Sequence, residues 1–234
     1  MFGGKFEVML TGSAAISKEV VEFMQIAMCV PFCEAYGQTE TGGASTFTDV
    51  EDIHAAGTVG SVKRTLDMKV IDVPELEYYH NDEVDGVNHP RGELCFRGNT
   101  LFSGYLCNPE KTAEAVDEDG WLHTGDIGEI LPNGSVKIID RKNDIFKLNQ
   151  GEYIAPQRLE SIFCQIDVVQ QVFIYGDALQ TTIVAVIVPD KDALVSKGHC
   201  DEEGYETYAT GDEFKNLVTQ KIAEQKAIHK VSPY

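Results

Sequence analysis

Short runs of alternating apolar and polar residues fill this chain, and the pattern changes character twice. Glu7 to Leu10 reads as a short strand entering the small-residue loop "TGSAA". After it, Val20, Met24, Ala27 and Met28 recur at helical spacing, and Ser17 just ahead of them suits a helix cap. A second apolar stretch, Val30 to Tyr36, completes a pattern that predicts a β-α-β unit. Open sheets of that kind bind ligands in the loops at their strand ends.

From about Gly57 to Asp140 the runs shorten to strand length, as in "DMKVIDV", "GELCFRG" and "EILPNGSVKIID". Asn133 and Gly134 divide the last of these, and both tolerate the positive φ of a tight hairpin turn. One helix is predicted inside this β-rich stretch, capped by Asn108, opened by Pro109 and carrying Ala113 and Val116 on one face. Beyond Arg141 the chain alternates again. Pro156 opens a helix with Leu159, Ile162, Phe163 and Ile166 on one face, "VVQQVFIYG" and "TTIVAVIVPD" read as strands, and Phe214, Leu217, Val218 and Ile222 mark a last amphipathic helix. The polar, acidic stretch "GHCDEEGYETYATGDE" predicts a mobile loop. The expected fold class is therefore α/β. The end of a β-α-β layer (residues 1–56) is followed by a β-rich, barrel-like portion (57–139), and a small α+β domain (146–234) follows a connecting segment (140–145).

Composition narrows the partners. A 43% apolar share over 234 residues can fill a core. The net charge of −19, from 19 Lys and Arg against 38 Asp and Glu, repels nucleic acid backbones and anionic membrane surfaces, so no nucleic acid partner is expected. Apolar runs such as "TTIVAVIV" fall short of the roughly 20 residues of a membrane-spanning helix, so no span is expected. The opening "MFGGKFEVML" lacks the features of a secretory signal, which predicts an intracellular setting. Six scattered cysteines with no CxxC read as free thiols, and His199-Cys200 lacks further ligands at zinc spacing.

Two stretches gather chemistry. "YGQTETGG", Tyr36 to Gly43, combines an aromatic ring, two threonine hydroxyls, the Glu40 carboxylate and three glycines, a mixture suited to a nucleotide; the same residues also describe a polar turn leaving a buried strand. "HTGD" places Asp126 at a turn, where its carboxylate can accept from the two vicinal hydroxyls of a ribose. Arg141 follows the hairpin and can donate to the same hydroxyls or pair with Asp140 or Asp144.

Several long motifs stand in one order: "TGSAAIS", "YGQTETGG", "RGELCFRGNTLFSGYLCNPEKTAEAVDEDGWLHTGD" and "IDRKNDIFKLNQGEYIAPQRLE". Over residues 7 to 190 the chain resembles the long-chain acyl-CoA synthetases (long-chain fatty acid–CoA ligases) of the adenylate-forming, AMP-binding superfamily, with "KLNQGEYIAP" matching the eukaryotic type. The resemblance implies a fragment of an adenylate-forming enzyme that uses a fatty acid, ATP, magnesium and coenzyme A. A fatty acid carboxylate attacks the α-phosphate of ATP to give an acyl-adenylate and pyrophosphate, and coenzyme A then displaces AMP. It further implies that Gly12, Ser13 and Ala14 line the adenine and acyl region. Tyr36 packs on adenine beside Gly37 and Gln38, and Asp126 and Arg141 bind the ribose. Thr39 contacts phosphate and Glu40 holds magnesium, making these two the catalytic pair. Asn143, or alternatively Asp140, is the implied hinge between two domains, and Gly151 lies on the implied coenzyme A side. The family's phosphate loop and its late lysine find no match, so the chain is expected to be inactive alone; the alternative is a non-catalytic nucleotide-binding or interaction module. Relatives sit on the endoplasmic reticulum, the mitochondrial outer membrane or peroxisomes.

Overall fold

Ser17 caps the first helix as its position suggests. Its hydroxyl oxygen accepts from the Val20 amide at 3.4 Å, and α1 (Lys18–Met28) continues until Cys29 turns left-handed at φ 53°. The helix crosses between two parallel strands, β1 (Met9–Gly12) and β2 (Phe32–Gln38), which completes the β-α-β unit. This computed structural model describes residues 4–52, 55–150, 153–177 and 179–229, and the chain divides into two units, Met1–Asn143 and Asp144–Tyr234.

In the first unit β3 (Gly43–Phe47) returns antiparallel to β2, and β4 (Ser61–Val62) pairs with β3, giving the order β1-β2-β3-β4. A second four-stranded sheet is antiparallel throughout. It holds β5 (Leu66–Ile71), β8 (Arg91–Gly98), β9 (Leu122–Ile130) and β10 (Val136–Arg141) in the order β10-β9-β8-β5, with the small hairpin β6 (Glu83–Val84) and β7 (Val87–Asn88) inserted. The β-rich portion is open, not closed as a barrel. Val136 exchanges backbone hydrogen bonds with Val59 and Gly60, both 2.8 Å, so the β10 end of the sheet is tied to the approach to β4 and not to β5. Gly60 is required there, because a Cβ would fall 1.8 Å from the Phe47 carbonyl oxygen. Leu94 and Phe96 on β8 are fully buried with Leu66, Val59 and Val136, and Tyr36 packs against this core from the first sheet. Full burial of such side chains stabilises by roughly 1.5–3 kcal/mol each.

The turn and cap chemistry is as expected in kind. Asn108 accepts from the Lys111 amide at 3.1 Å and Pro109 opens α2 (Pro109–Ala115). At the β9–β10 hairpin, however, only Gly134 takes positive φ (82°). The Asn133 side chain contributes instead by accepting from the Ser135 amide at 3.0 Å.

The second unit begins with the short ladder of β11 (Phe146–Lys147) and β12 (Tyr153–Ile154), followed by α3 (Pro156–Phe163). Next come the antiparallel pair β13 (Val169–Tyr175) and β14 (Val184–Pro189), then α4 (Lys191–Ser196), α5 (Tyr205–Thr210) and α6 (Asp212–His229). Leu159, Ile162, Phe163 and Ile166 are buried with Val168, Leu194, Phe214 and Val218. The acidic stretch expected to be a mobile loop instead contains α5. Tyr205 and Tyr208 pack on the core, and the Tyr208 ring lies 6.3 Å from His199 and 6.2 Å from Phe214, so aromatic burial outweighs the acidic composition.

Asp167 joins two elements of this unit by accepting from Lys197 and from Lys221 (2.7 Å), and these bonds pull its pKa down to about 2. A carboxylate depressed in this way stabilises the fold above its ordinary pKa, and the benefit fades as pH falls through the folded value. Because Asp167 is about half exposed, solvent screening reduces the effect. Asp167→Asn is expected to cost about 1 kcal/mol at pH 7 and little by pH 2, read from urea unfolding at the two pH values. An equal cost at both would remove the ion pairs as the cause.

All six cysteines are free. Among the described residues, no helix is long and apolar enough to cross a membrane.

Candidate functional site

The motif from Tyr36 to Gly43 begins in the sheet. Tyr36, Gly37 and Gln38 finish β2, and only Thr39–Thr41 leave it, as a single 3-10 turn ended by Gly42 at φ 71°. The buried Thr41 hydroxyl fastens the turn: it accepts from the Gln38 amide at 3.0 Å and donates to the Gly43 carbonyl at 2.6 Å. Close approach explains two of the three glycines. A Cβ on Gly37 would lie 2.1 Å from the Gly43 oxygen, and one on Gly42 would lie 2.5 Å from the Thr100 oxygen.

Strand alternation puts Tyr36 and Gln38 on one face. Both reach Asp126 on β9. The Tyr36 phenol donates to Asp126 Oδ2 at 2.7 Å, and Gln38 Nε2 donates to the same oxygen at 2.8 Å and to the Thr124 carbonyl at 2.9 Å. Burial first, and then the Asp126 charge, push the Tyr36 phenol well above its usual range, so it remains a donor. Arg141 lies opposite Asp126 in the β9–β10 register, with its Nε 3.4 Å from Asp126 Oδ1. The carboxylate is buried at 7% exposure while the guanidinium is 63% exposed, so the cation can meet an incoming ligand.

Asp126 lies within strand β9 and not at the turn expected from sequence, and this part of the strand is braced from behind. Thr124 donates to the Leu94 carbonyl at 2.8 Å while accepting from the Asp126 amide at 3.0 Å. The Gly125 amide donates to buried Glu93 at 3.1 Å, and the other Glu93 oxygen meets Lys142 Nζ at 3.3 Å. Burial lowers the Lys142 pKa, but Glu93 and Glu75 more than offset that and leave it raised, so the ammonium persists. Next to this brace, His123 sits 3.6 Å from Cys95 Sγ and 3.4 Å from Asp117. The arrangement does not make a nucleophile: burial, then the Glu93 charge, push the Cys95 thiol up to about 12.

An open cleft of about 870 Å³ runs along the strand ends. Of the residues singled out from sequence, Gly12, Ser13, Tyr36, Gly37, Gln38, Thr39, Glu40 and Arg141 line it, and Asp126 is bonded to three of them from behind. Ala14 is exposed and is not part of the lining. Asp140 is 2% exposed and paired with Ile127 in the β9–β10 ladder, whereas Asn143 lies beyond the end of β10. Gly151 falls outside the described residues. Sequence reasoning missed Tyr105, His123 and Thr124 as cleft residues; only their place in the long motif "FSGYLCNPEK…GWLHTGD" marked them.

Glu40 is the one acid among the described lining residues, and Thr39 beside it is exposed. No group of three or more His, Cys, Asp or Glu among the described residues could hold a metal. A single carboxylate next to a hydroxyl suits magnesium, which keeps waters and takes substrate phosphate oxygens as its remaining ligands.

Residues 1–106 match the family model described as AMP-binding enzyme. Long-chain-fatty-acid–CoA ligase 5 of Mus musculus is 47% identical over 194 residues, which is 83% of this chain and 27% of that protein. Long-chain-fatty-acid–CoA ligase 6 of Homo sapiens is 39% identical over 234 residues, 97% of this chain and 32% of that protein. The A domain of the carboxylic acid reductase from Segniliparus rugosus, solved with AMP and a co-purified carboxylic acid, superposes with a TM-score of 0.83 at 29% identity, over 100% of this chain and 33% of that one. The chain thus spans about a third or less of the length of these relatives.

Proposed function

We propose that this chain, whose residues 1–106 match the AMP-binding enzyme model, carries the nucleotide-handling part of a long-chain fatty acid–CoA ligase. The observation that carries the reading is the convergence of Tyr36, Gln38 and Arg141 on one buried carboxylate, Asp126, at the wall of a cleft that also holds Thr39 and Glu40. In this reading Asp126 accepts from the ribose hydroxyls, and Arg141 holds the carboxylate in place and donates to the same sugar. The Tyr36 ring, packed against the core and held by its phenol bond, packs on adenine. Gly43, where a Cβ would meet nothing within 4 Å, leaves room for the nucleotide phosphates, and the Thr39 hydroxyl donates to a phosphate oxygen.

Glu40 would hold magnesium, which when bound neutralises charge growing on the phosphate oxygens. The fatty acid carboxylate oxygen attacks the α-phosphorus, the bond to the bridging oxygen breaks, and pyrophosphate leaves. The coenzyme A thiolate then attacks the acyl carbonyl and AMP departs with the bonding pair. Asn143 as the pivot between the two half-reactions and Gly151 as a coenzyme A-side residue belong to the same proposal. So does the inactivity of these 234 residues on their own.

The test is ATP–pyrophosphate exchange and acyl-CoA formation with palmitate, on the protein as its gene encodes it, alongside AMP binding by this chain. Palmitate-dependent exchange supports the ligase. AMP binding without exchange for any fatty acid would replace it with a nucleotide-binding module.

A further inference from the structure

Glu40 is gripped from a distant part of the chain. After β8 the chain passes Gly42 so closely that a side chain there would meet the Thr100 carbonyl, and the Phe102 amide then donates to the Glu40 carbonyl at 2.8 Å. Three residues on, the Tyr105 phenol donates to Glu40 Oε1 at 2.7 Å. We infer that Tyr105 is a positioning residue for the metal: its hydroxyl holds one oxygen of Glu40 and so aims the other at a magnesium ion arriving with nucleotide. The inference rests on the proposed role of Glu40 as the magnesium ligand.

Tyr105 is itself held for this task. Its ring meets Phe102 edge-on at 4.9 Å and 72°. Its amide donates to the Thr112 hydroxyl at 2.9 Å, and that hydroxyl donates in turn to the carbonyl of Asn108, the cap of α2. Gly104, at φ 132°, lets the segment press against Thr112, where a Cβ would be 2.7 Å from Thr112 Cγ2. Packing alone does not account for the arrangement, because Tyr105 is 40% exposed and gains little from burial. A metal-bound carboxylate oriented by a neighbouring donor is a common device, and removing such donors lowers metal affinity by about 10–100-fold.

The test measures binding of a fluorescent ATP analogue by this chain in EDTA and in saturating magnesium, and takes the ratio of the two affinities as the magnesium gain. Tyr105→Phe, which keeps the ring, should shrink that gain about tenfold. A gain equal to the wild-type value, whatever happens to both affinities together, would overturn the inference, as would a wild-type chain showing no gain. Glu40→Gln separates the two claims. If it abolishes the gain while Tyr105→Phe does not alter it, Glu40 is the ligand and Tyr105 is not its guide. If the gain survives Glu40→Gln, the reading of Glu40 itself fails.

Discussion

In the proposed ribose-binding role of Asp126, Asp126→Ala is expected to weaken AMP binding by this chain about 100-fold, read by titration calorimetry. The magnitude follows from what the carboxylate does. Hydrogen bonds to a charged partner contribute about 1.5–3 kcal/mol, and a factor of ten in affinity is about 1.4 kcal/mol. Two ribose hydroxyls sharing one carboxylate therefore account for roughly two decades. Removing Asp126 also strands the Tyr36 phenol and the Gln38 amide, which both donate to its Oδ2, and leaves the exposed Arg141 without its 3.4 Å partner. Asp126→Asn keeps the shape and one acceptor and should lose about tenfold, separating lost charge from lost structure. Near-ultraviolet circular dichroism unchanged in the Asn variant would show that the fold is intact. AMP affinity equal to wild type in both variants would mean that the ribose is held elsewhere and that the convergence on Asp126 is only a structural knot.

Glu34→Gln is expected to stabilise the protein at pH 8 by about 2 kcal/mol. Glu34 lies on β2, two residues before Tyr36, and is 8% exposed with Oε2 lacking any hydrogen-bond partner. Burial raises its pKa from 4.5 to about 7. A carboxyl whose folded pKa lies above its unfolded one binds its proton more tightly in the fold. Its stability contribution is therefore complete below pH 4.5 and is lost as pH rises through 7. Gln has nearly the same shape and no charge to desolvate, so urea unfolding should show wild type losing stability from pH 5 to pH 8 while the variant does not. The two curves should meet near pH 4.5. Parallel curves across that range would show that Glu34 is not titrating in the fold.

Glu34 lies on β2, and Asp126 on β9 accepts from Tyr36 and Gln38 of β2, so both variants bear on that one strand. Glu34 carries the cost of a buried charge, while Tyr36 and Gln38, on the same face, convert the strand's position into ligand geometry.

Much of the fold was legible in the sequence because its signals are local. A cap such as Ser17 to Val20 or Asn108 to Lys111 spans three residues, and the burial of Leu159, Ile162, Phe163 and Ile166 follows from helical spacing alone. The same locality marked Tyr36, Glu40, Asp126 and Arg141 as chemistry-bearing, since each stands in a short motif. What joins them is not local. Tyr36 and Asp126 are 90 residues apart and Tyr105 and Glu40 are 65 apart; sheet assembly brings the first pair to 2.7 Å, and the return of the loop after β8 to the 3-10 turn brings the second to 2.7 Å. That is why Tyr105 escaped notice and why the sequence, which left Arg141 between ribose hydroxyls and pairing with Asp140 or Asp144, did not show its pairing with Asp126. Composition also misled where packing overrode it. The acidic run after Gly198 forms α5 because Tyr205 and Tyr208 have a core to enter, and the β-rich portion stays open because Val136 bonds to Val59 and Gly60. Residue types and their near neighbours thus specify the elements and the chemistry on offer. Which groups meet depends on pairings across many residues, whose energies arise only once the sheets and the core have assembled.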